Sequence, residues 1–497
     1  MQSVSISDLK IVSPQYPASQ NFSNAKEAVQ FLQEIYAIST SFLREGFQGL
    51  LNGEPANKRY RAYYPKITIT TNSYAKVDSR LPYGHVAGPG TYNCTVTNPD
   101  LFARYLENQI SLLISNHGVD VNISLSDQPI PLHFAFSEGE HVDGAINTIL
   151  DRPLRDYFDA PDLSATDDKI ANGNLEFKEG EAMPLAPFTA PRVDYSLQRL
   201  AHYTATSAKH FQSFVLFTNY QFYIDGFINY AKEQLADKDS GYVSLVEPGN
   251  YTTHNGSDVG EGQRPPRNPQ MPAYHLKRAD NTGITMVNIG VGPSNAKTMT
   301  DHIAVLRPNA WLMLGHCAGL RNTQSLGDYV LAHAYVREDN VLNDDLPTWI
   351  PIPALAEVQI ALEQAVAEVT GLKGYELKSI MRTGTVATID NRNWELRDQS
   401  GPVHRLSQSR AIGLDMESAT IAANGYRFRV PYGTLLCVSD KPLHGELKLP
   451  GMATDFYNRQ VGQHLFIGIK AMEKLRDMPN EKLHSRKLRA FDETAFQ

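Results

Sequence analysis

The C-terminal half of the chain alternates strand-like and helix-like segments, and this alternation limits the possible folds more than any other feature. From Gly283 onward, apolar runs such as ITMVNIGVG and AWLMLGHCAG are separated by helix-like runs such as KTMTDHIAVL and PALAEVQIALEQAVAEV. Alternation of this kind is typical of a layered α/β sheet, whose ligands bind at strand ends and in the loops that follow. We therefore expect the functional residues of this region where its strands end.

The N-terminal part has an α+β pattern instead. A helix is predicted from Ser23, which can cap it, and the strand-like runs YPKITITT and VDVNISL flank a second helix. At 497 residues the chain is too long for one ordinary domain. We expect an N-terminal α+β domain over 1–160, a linker over 161–195, a larger domain over 196–480 and a basic tail over 481–497. Within the larger domain, the aromatic-rich segment HFQSFVLFTNYQFYIDGFINYAKEQL is predicted to be helical.

Charge and cysteine content argue against several classes of function. The net charge of −8 is well mixed along the chain, which disfavours a nucleic-acid binder that uses a basic face. The three cysteines have no CxxC or Cys/His spacing, so neither a disulfide framework nor a zinc site is predicted. The N-terminus does not resemble a secretory signal, and no apolar run approaches the roughly 18 residues of a membrane span. We expect a cytoplasmic protein that binds neither membrane nor nucleic acid.

Two acidic residues stand where buried structure is predicted. Glu417 follows Met416 at the start of a helix-like run, and Asp440 follows Ser439 at the end of the apolar strand YGTLLCV. A buried carboxylate is costly unless it is paired, protonated or functional. Either acid alone would usually be a surface residue or a helix cap, and only the combination of motifs favours a functional role.

Three ordered segments of this region resemble the nucleoside phosphorylase and nucleosidase superfamily. They are YHLKRADNTGITMVNIGVGPSNAK, GHCAGLRNTQSLGDYVLAHAY and LDMESATIAANGYRFRVPYGTLLCVSD, and the resemblance extends from Met271 to Glu473. The long N-terminal extension and FVLFTNYQFYID are similar to the AMP nucleosidases within that superfamily. The resemblance implies a three-layer α/β/α catalytic domain over 196–480. It also implies hydrolysis of AMP to adenine and ribose 5-phosphate, which controls AMP levels in purine nucleotide metabolism.

By this resemblance, one acid acts on the base and the other on the sugar as the bond between them breaks. Asp440 lies at the purine, held by Ser439, and donates a proton or hydrogen bond to N7 as the C1′–N9 bond breaks. A positioned acid of this kind contributes roughly 10²–10⁴ in rate. Glu417 accepts hydrogen bonds from the ribose hydroxyls and opposes the positive charge of an oxocarbenium-like transition state. Met416 lines the sugar.

The same resemblance assigns further positions to substrate binding. Trp394 is the candidate that stacks on the base, and His275 corresponds to a residue that reaches across a subunit interface to the sugar 5′ end. Lys277 and Arg278 are candidates for holding the 5′-phosphate by charge-assisted hydrogen bonds, with ordinary solvated surface as the alternative. The two glycine-containing turns add four positions: Ser294, Asn295, Gly315 and His316.

Two positions separate hydrolysis from phosphorolysis. When the two glycine turns are matched to the superfamily, Asn295 and Met313 stand where phosphorylases hold phosphate with arginine, and His316 stands at a phosphate-binding serine. Loss of both guanidinium clamps favours water as the nucleophile. The residue that activates this water stays open among Glu417, Asp301 and His316. A purine nucleoside phosphorylase and a nucleotide-sensing protein without catalysis are the alternative functions.

Regulation and assembly are also expected from the family. AMP nucleosidases are activated by ATP with magnesium and inhibited by phosphate, and they form homo-oligomers, for which a hexamer is expected. The N-terminal domain is the expected regulatory and oligomerisation module, although its sequence shows no motif for either role. No cofactor and no metal ion are expected in catalysis itself.

Overall fold

The computed structural model describes residues 9–76, 81–136, 152–176, 178, 180–254, 260–446, 452–479, 481–483, 488–490 and 493–497. The chain divides into two units, Met1–Gln198 with Ala490–Gln497, and Arg199–Arg489. The segment 161–195 therefore belongs to the first unit and is not a separate linker. The end of the predicted basic tail belongs to that unit too, whereas residues 484–487, 491 and 492 of the tail lie outside the described residues.

The described part of the first unit contains a mixed sheet covered by helices. Its strands are β1 (Lys10–Val12), β2 (Gln20–Phe22), β3 (Lys58–Tyr60), β4 (Tyr63–Thr71), β5 (Gly90–Thr95), β6 (Val121–Pro129) and β7 (Met183–Pro184). Its helices are α1 (Ala25–Leu51), α2 (Ala103–His117), α3 (Leu132–Ala135), α4 (Leu154–Tyr157) and α5 (Ala190–Thr204). Strands β2, β6, β4, β5 and β7 form one sheet in that order, and β1 pairs with β3. Helices α1 and α2 share an apolar core with this sheet, which is the predicted α+β arrangement.

Helix α1 starts one residue later than the sequence predicts. The cap is Asn24 rather than Ser23, and its side-chain oxygen accepts hydrogen bonds from the backbone N–H groups of Lys26, at 2.9 Å, and Glu27, at 3.2 Å. Asparagine and serine satisfy the same unpaired N–H groups of a helix start. Because two adjacent residues can both cap a helix, the local sequence does not determine which of them precedes its first turn.

The last residues of the chain lie in the core of the first unit. Ala495 and Phe496 are each 1% exposed. The N–H of Phe496 donates to the carbonyl of Leu185 at 2.8 Å, and the N–H of Gly84 donates to the carbonyl of Ala495 at 2.6 Å. The predicted basic tail over 481–497 therefore ends in an apolar pair that is buried in the core of the first unit.

The second unit is larger and contains the segments that carry the superfamily resemblance. Its described strands are β8 (Phe214–Thr218), β9 (Tyr242–Glu247), β10 (Tyr251–His254), β11 (Ala273–Arg278), β12 (Ile284–Asn288), β13 (Ala310–Gly319), β14 (Tyr329–Glu338), β15 (Met381–Ile389), β16 (Ala411–Asp415) and β17 (Tyr432–Asp440). Its described helices are α6 (Gln221–Ala236), α7 (Pro293–Ile303), α8 (Ala356–Thr370), α9 (Gly374–Ile380), α10 (Ser400–Gln408), α11 (Ser418–Phe428) and α12 (Met452–Arg476).

These ten strands form one mixed sheet in the order β10, β9, β11, β12, β8, β13, β16, β15, β14 and β17. Strand β17 also pairs with β13, so that β13, β16, β15, β14 and β17 close into a ring. Helices α6 and α8 pack against α12, and α7 packs against α11. This architecture confirms the predicted α/β class, and the ring brings the ends of distant strands together.

Strand β8 corrects the helical prediction for the segment that follows His210. Residues Phe214–Thr218 form a strand in which every residue is buried, and helix α6 begins only at Gln221. The strand lies between β12 and β13 and runs parallel to both. A short apolar run without alternation is what a central parallel strand requires, because both of its faces are covered. Its carboxyl end therefore lies within the ten-stranded sheet of the second unit.

Candidate active site

Glu417 is the centre of a cluster built from three separate segments. It lies between β16 and α11, and its residue exposure is 2%. Its Oε1 accepts a hydrogen bond from the backbone N–H of Gly292 at 2.6 Å, and its Oε2 accepts one from Nδ2 of Asn219 at 3.2 Å. Both carboxylate oxygens are thus held in place, which fixes the side chain for chemistry.

The turn after β12 is shaped to present that N–H group. Gly292 has a φ of 111°, in the region that favours glycine, and it directly precedes α7. The side chain of Asn295 folds back within the turn, where Nδ2 donates to the carbonyl of Val291 at 3.3 Å. Ser294 is exposed. In this turn the backbone of Gly292, which was not among the predicted positions, reaches Glu417, whereas the predicted Asn295 bonds to its own loop.

Asp415 forms a buried acidic pair with Glu417. Its carboxylate accepts hydrogen bonds from Oγ1 of Thr388 at 2.5 Å, from the N–H of Ser418 at 2.9 Å and from the Ser418 hydroxyl. Burial, followed by the charge of Asp415, raises the pKa of Glu417 to about 8. Burial also raises the pKa of Asp415. Because two hydroxyls and an N–H group favour the ionised form of Asp415, we assign the charge to Asp415 and the proton to Glu417 near neutral pH.

Asp440 ends strand β17 and is half-buried. Oγ of Ser439 donates to Oδ1 of Asp440 at 2.7 Å, which orients the carboxyl group as predicted. Ala318 of β13 pairs with Asp440 on one side and with Leu414 of β16 on the other. Paired strands lie about 4.8 Å apart, so Asp440 is about 10 Å from the strand that leads into Glu417. The closed ring therefore brings both predicted acids to the same end of β13.

His316 belongs to a buried hydrogen-bonded chain. Its Nε2 lies 3.1 Å from Oη of Tyr223, and that hydroxyl lies 2.7 Å from Nδ1 of His464. Nε2 of His464 donates to the carbonyl of Leu435 at 3.0 Å, so its Nδ1 accepts from Tyr223, and Tyr223 in turn accepts from His316. Burial lowers the pKa of His464 to about 4, in keeping with a neutral ring. The chain thereby fixes Nε2 of His316 as the protonated nitrogen.

The ring of His316 lies at the edge of the Glu417 cluster. It packs on Tyr220 with 4.7 Å between ring centroids, and Tyr220 directly follows Asn219 in the chain. A Cβ added at the neighbouring Gly315 would stand 3.6 Å from Oδ1 of Asn219. The structure therefore brings Gly315 and His316 to the site, as the sequence predicts.

Trp394, the residue predicted to stack on the base, lines a cavity whose lining includes neither Glu417 nor Asp440. This cavity has a volume of about 420 Å³ and is lined by Arg337, Glu338, Asn340, Ile389, Asp390, Asn391, Trp394, Arg397, Pro402, Arg405, Leu406 and Leu414. The indole packs against the apolar cluster that contains Leu406 and Leu414. Leu414 directly precedes Asp415 in the chain, so the cavity borders strand β16 next to the acidic pair.

The three basic residues predicted at the sugar 5′ end lie on β11, with partners of their own. His275 is 0% exposed, and its ring nitrogens each lie 2.9 Å from a hydroxyl, those of Thr285 and Thr206. Lys277 contacts Nδ1 of His210 at 3.2 Å. Both nitrogens of His275 are thus occupied inside the core, which corrects the expectation that its ring reaches a ligand at an interface.

Arg278, the third of these basic residues, makes its contacts with other residues of the second unit. Its Nη1 donates to the carbonyl of Ser240 at 2.9 Å, and its guanidinium lies 5.3 Å from the ring centre of Tyr242. Asp301, a candidate water activator, bonds to Lys297 and Asn424 at 2.7 and 2.8 Å at the far end of α7. Neither residue joins the Glu417 cluster.

Asn219 and Asp415 are the residues of this site that the sequence analysis missed. Asp415 stands two residues before Glu417 in the quoted segment LDMES, and a second acid so close to a buried one was a usable signal. Asn219 directly follows β8, so it was hidden by the helical prediction for that segment. Within the described ranges there is no group of three His, Cys, Asp or Glu residues placed to hold a metal ion.

Comparison with known proteins gives two family matches. A family model described as the bacterial AMP nucleoside phosphorylase N-terminus matches residues 27–182, and one described as the phosphorylase superfamily matches residues 261–462. The AMP nucleosidase of Escherichia coli (strain K12) is 47% identical over 480 residues, which are 95% of this chain and 98% of that protein. The AMP nucleosidase of Escherichia coli O157:H7 gives the same values. Among the helices that the structure describes, none is long and apolar enough to cross a membrane.

Two solved structures are similar to part of the chain. An AMP nucleosidase from Bacteroides thetaiotaomicron VPI-5482 is 27% identical, with a TM-score of 0.41, and the match covers 57% of this chain and 98% of that one. A purine nucleoside phosphorylase from Toxoplasma gondii, in complex with immucillin-H, is 19% identical, with a TM-score of 0.40 and coverage of 55% and 96%.

Proposed function

The chain belongs to the AMP nucleosidase family, and we propose that it cleaves the N-glycosidic bond of AMP at the site built around Glu417 and Asp440. Its curated relatives support hydrolysis of AMP to adenine as the reaction. A phosphorylase or a sensor without catalysis is not favoured, since the identity to nucleosidases extends over 95% of the chain. One observation carries the choice of site: a buried carboxylate held by two donors shares the end of β13 with a second acid.

Asp440 acts on the leaving group in this proposal. Adenine leaves poorly as an anion, so protonation or hydrogen bonding at N7 is needed as the C1′–N9 bond breaks. The 2.7 Å hydrogen bond from Ser439 holds one carboxyl oxygen and leaves the other for the base.

Glu417 acts on the sugar. Bond cleavage leaves positive charge on the ribose ring, and a carboxylate fixed in a water-poor site stabilises that charge more than it stabilises the neutral ground state. The N–H of Gly292 and the amide of Asn219 keep the carboxylate in place without reorganisation. Burial raises the pKa of Glu417, so the empty site disfavours the negative charge of the carboxylate. Hydroxyl donors and a cationic sugar favour that charge, so the carboxylate interacts most strongly with the transition state.

Hydrolysis predicts that adenine is released from AMP in phosphate-free buffer. Met313, at one position where phosphorylases carry arginine, is fully buried, and Asn295 bonds to its own turn. Each absent arginine forgoes attraction to phosphate on the order of 4 kcal/mol at an effective dielectric of about 20. With millimolar phosphate present, phosphorus NMR should show ribose 5-phosphate and no ribose 1,5-bisphosphate. A 1-phosphate product, or a strict need for phosphate, would contradict hydrolysis.

The acidic pair predicts how activity depends on pH. Since kcat/KM reports the free enzyme and Glu417 works in its ionised form, kcat/KM should rise with pH as Glu417 titrates near its pKa of about 8. Asp415→Asn removes the adjacent negative charge and lowers the pKa of Glu417, so the rise should move to lower pH by about one pH unit. The exposed Glu395→Gln serves as control and should leave the profile in place. A profile that stays put or moves upward in Asp415→Asn would count against the pairing.

The regulatory expectations stay predictions that rest on the family resemblance. They are activation by ATP with magnesium, inhibition by phosphate, assembly into a homo-oligomer such as a hexamer, and a cytoplasmic location. The buffer series used for the phosphate experiment also tests inhibition, because an anion competing at the 5′-phosphate or at a regulatory site lowers the rate without entering the product.

A further inference from the structure

We infer that Asn219 is a sugar-recognition residue: its side-chain oxygen accepts a hydrogen bond from a ribose hydroxyl while its NH₂ group holds Glu417. The inference rests on the proposed function, and it adds a specificity determinant to the same site. The two polar atoms of the Asn219 amide differ in their hydrogen bonding. Nδ2 donates to Oε2 of Glu417 at 3.2 Å, whereas Oδ1 is buried and has no hydrogen-bond partner among the described residues.

A buried acceptor without a donor is uncommon, because the atom has lost its hydrogen bonds to water and no protein hydrogen bond replaces them. The orientation of the amide explains why Oδ1 is the atom left over. The structure places the NH₂ group of Asn219 on Oε2 of Glu417, so the amide oxygen points away from the carboxyl group. An arriving ligand therefore meets one neutral and one acidic acceptor next to each other, and both require donors.

The residue beside Oδ1 on strand β13 is a glycine, which has no side chain to cover the oxygen. A Cβ at Gly315 would stand 3.6 Å from Oδ1 of Asn219 and 2.8 Å from Cε of Met313. Any larger side chain on this strand would therefore cover the oxygen or displace its neighbours. An unpaired acceptor that no side chain of residue 315 covers, next to a fixed carboxyl group, is suited to a hydroxyl donor.

The chemistry of the substrate selects which donor fits. The amide nitrogen and oxygen of one asparagine are about 2.2 Å apart, so Oδ1 lies about 4–5 Å from Oε2 of Glu417. Two vicinal hydroxyls span such a pair of acceptors, one hydroxyl to each. Adenine is not a match, since its recognition is expected at Asp440 on the other side of β13. The 2′,3′-diol of ribose is the part of AMP that offers two adjacent donors.

The test compares three substrates in the full-length enzyme: AMP, 2′-deoxy-AMP and 3′-deoxy-AMP, each assayed as kcat/KM for adenine release. Asn219→Ala should lower the value for AMP about tenfold more than the value for one of the two deoxynucleotides, because that substrate lacks the hydroxyl which Oδ1 would bind. Gln221→Ala is the matched control. It removes an amide two residues away that is exposed and bonded to Asp225. It should change the three values equally or not at all.

A second variant covers the case in which Asn219→Ala loses its fold, as judged by thermal unfolding. Gly315→Ala places a methyl group beside Oδ1 and keeps both partners of the Asn219–Glu417 hydrogen bond. It should lower the ratio of kcat/KM for AMP to kcat/KM for the same deoxynucleotide. Equal losses for all three substrates in both variants would overturn the inference and leave Asn219 as a support for Glu417. If the unmodified enzyme releases no adenine from AMP, it is the proposed function that fails, so the two failures are distinguishable.

Discussion

Asp440→Asn is expected to lower kcat for adenine release by about 100-fold or more with little change in KM. Asparagine keeps the size and polarity of the side chain, and its oxygen still accepts the hydrogen bond that Ser439 makes to Asp440. What it loses is the proton that N7 requires as the bond breaks. Because that proton matters in the transition state and not in the ground state, the loss should fall on turnover.

Two comparisons separate an acid from a merely structural carboxylate at this position. Ser439→Ala removes the orienting hydrogen bond and leaves the acid in place, so its loss of kcat should be much smaller than that of Asp440→Asn. A nucleotide methylated at N7 already carries the positive charge on its purine and has less need of an acid. On that substrate the deficit of Asp440→Asn should shrink. Full activity of Asp440→Asn on AMP, or an equal deficit on both substrates, would remove Asp440 from the mechanism.

The sequence located both acids because each one stands next to a strong local pattern. Asp440 ends a nine-residue strand in which the other eight residues are buried, and Glu417 directly precedes α11. A change from strand to loop or helix can be recognised from the residues around it. Which strand ends meet is a different matter. That depends on β13 pairing with both β16 and β17, and nothing in a linear pattern encodes which strands are neighbours.

The missed strand shows the limit of local reasoning most clearly. The run FVLFT has five apolar or small residues beside a long aromatic helix, and a helix that begins earlier fits the same letters. Only the neighbours β12 and β13 make it a strand, because they cover both of its faces. Asn219 directly follows that strand, which positions it in the site. Its role could therefore not be predicted before the strand was known.

Burial against partners that are distant in sequence was the other property that the sequence did not show. His275 looked like a ligand-facing histidine, yet two threonines satisfy its ring in the core. The final Ala495 and Phe496, apolar residues within the predicted basic tail, are buried with the sheet of the first unit. In each case the partner is distant in sequence: Thr206 for the histidine and Leu185 for the chain end.

The second large effect is expected for Glu417→Gln, which should lower kcat/KM for AMP by about 10²–10³, the usual size of losing one fixed electrostatic contact to a transition state. The variant removes the negative charge that opposes the cationic sugar. It also replaces the working, ionised carboxylate, which only accepts hydrogen bonds, with an amide whose NH₂ group would meet Nδ2 of Asn219. To relieve that clash Asn219 would have to turn its oxygen toward the new amide, and the acceptor left for the sugar would be lost as well.

Substrate comparison and pH then identify which role of Glu417 has been lost. If Glu417 accepts a ribose hydroxyl, AMP loses more than 2′-deoxy-AMP or 3′-deoxy-AMP in Glu417→Gln, so the preference for the ribonucleotide should narrow. The rise of kcat/KM with pH should also disappear, because the group with the pKa of about 8 is gone. Glu395→Gln, an exposed acid of the same unit, should keep both the preference and the rise. An unchanged ribonucleotide preference together with an unchanged pH profile would mean that another group carries the charge. The buried pair of Asp415 and Glu417 would then serve the fold alone.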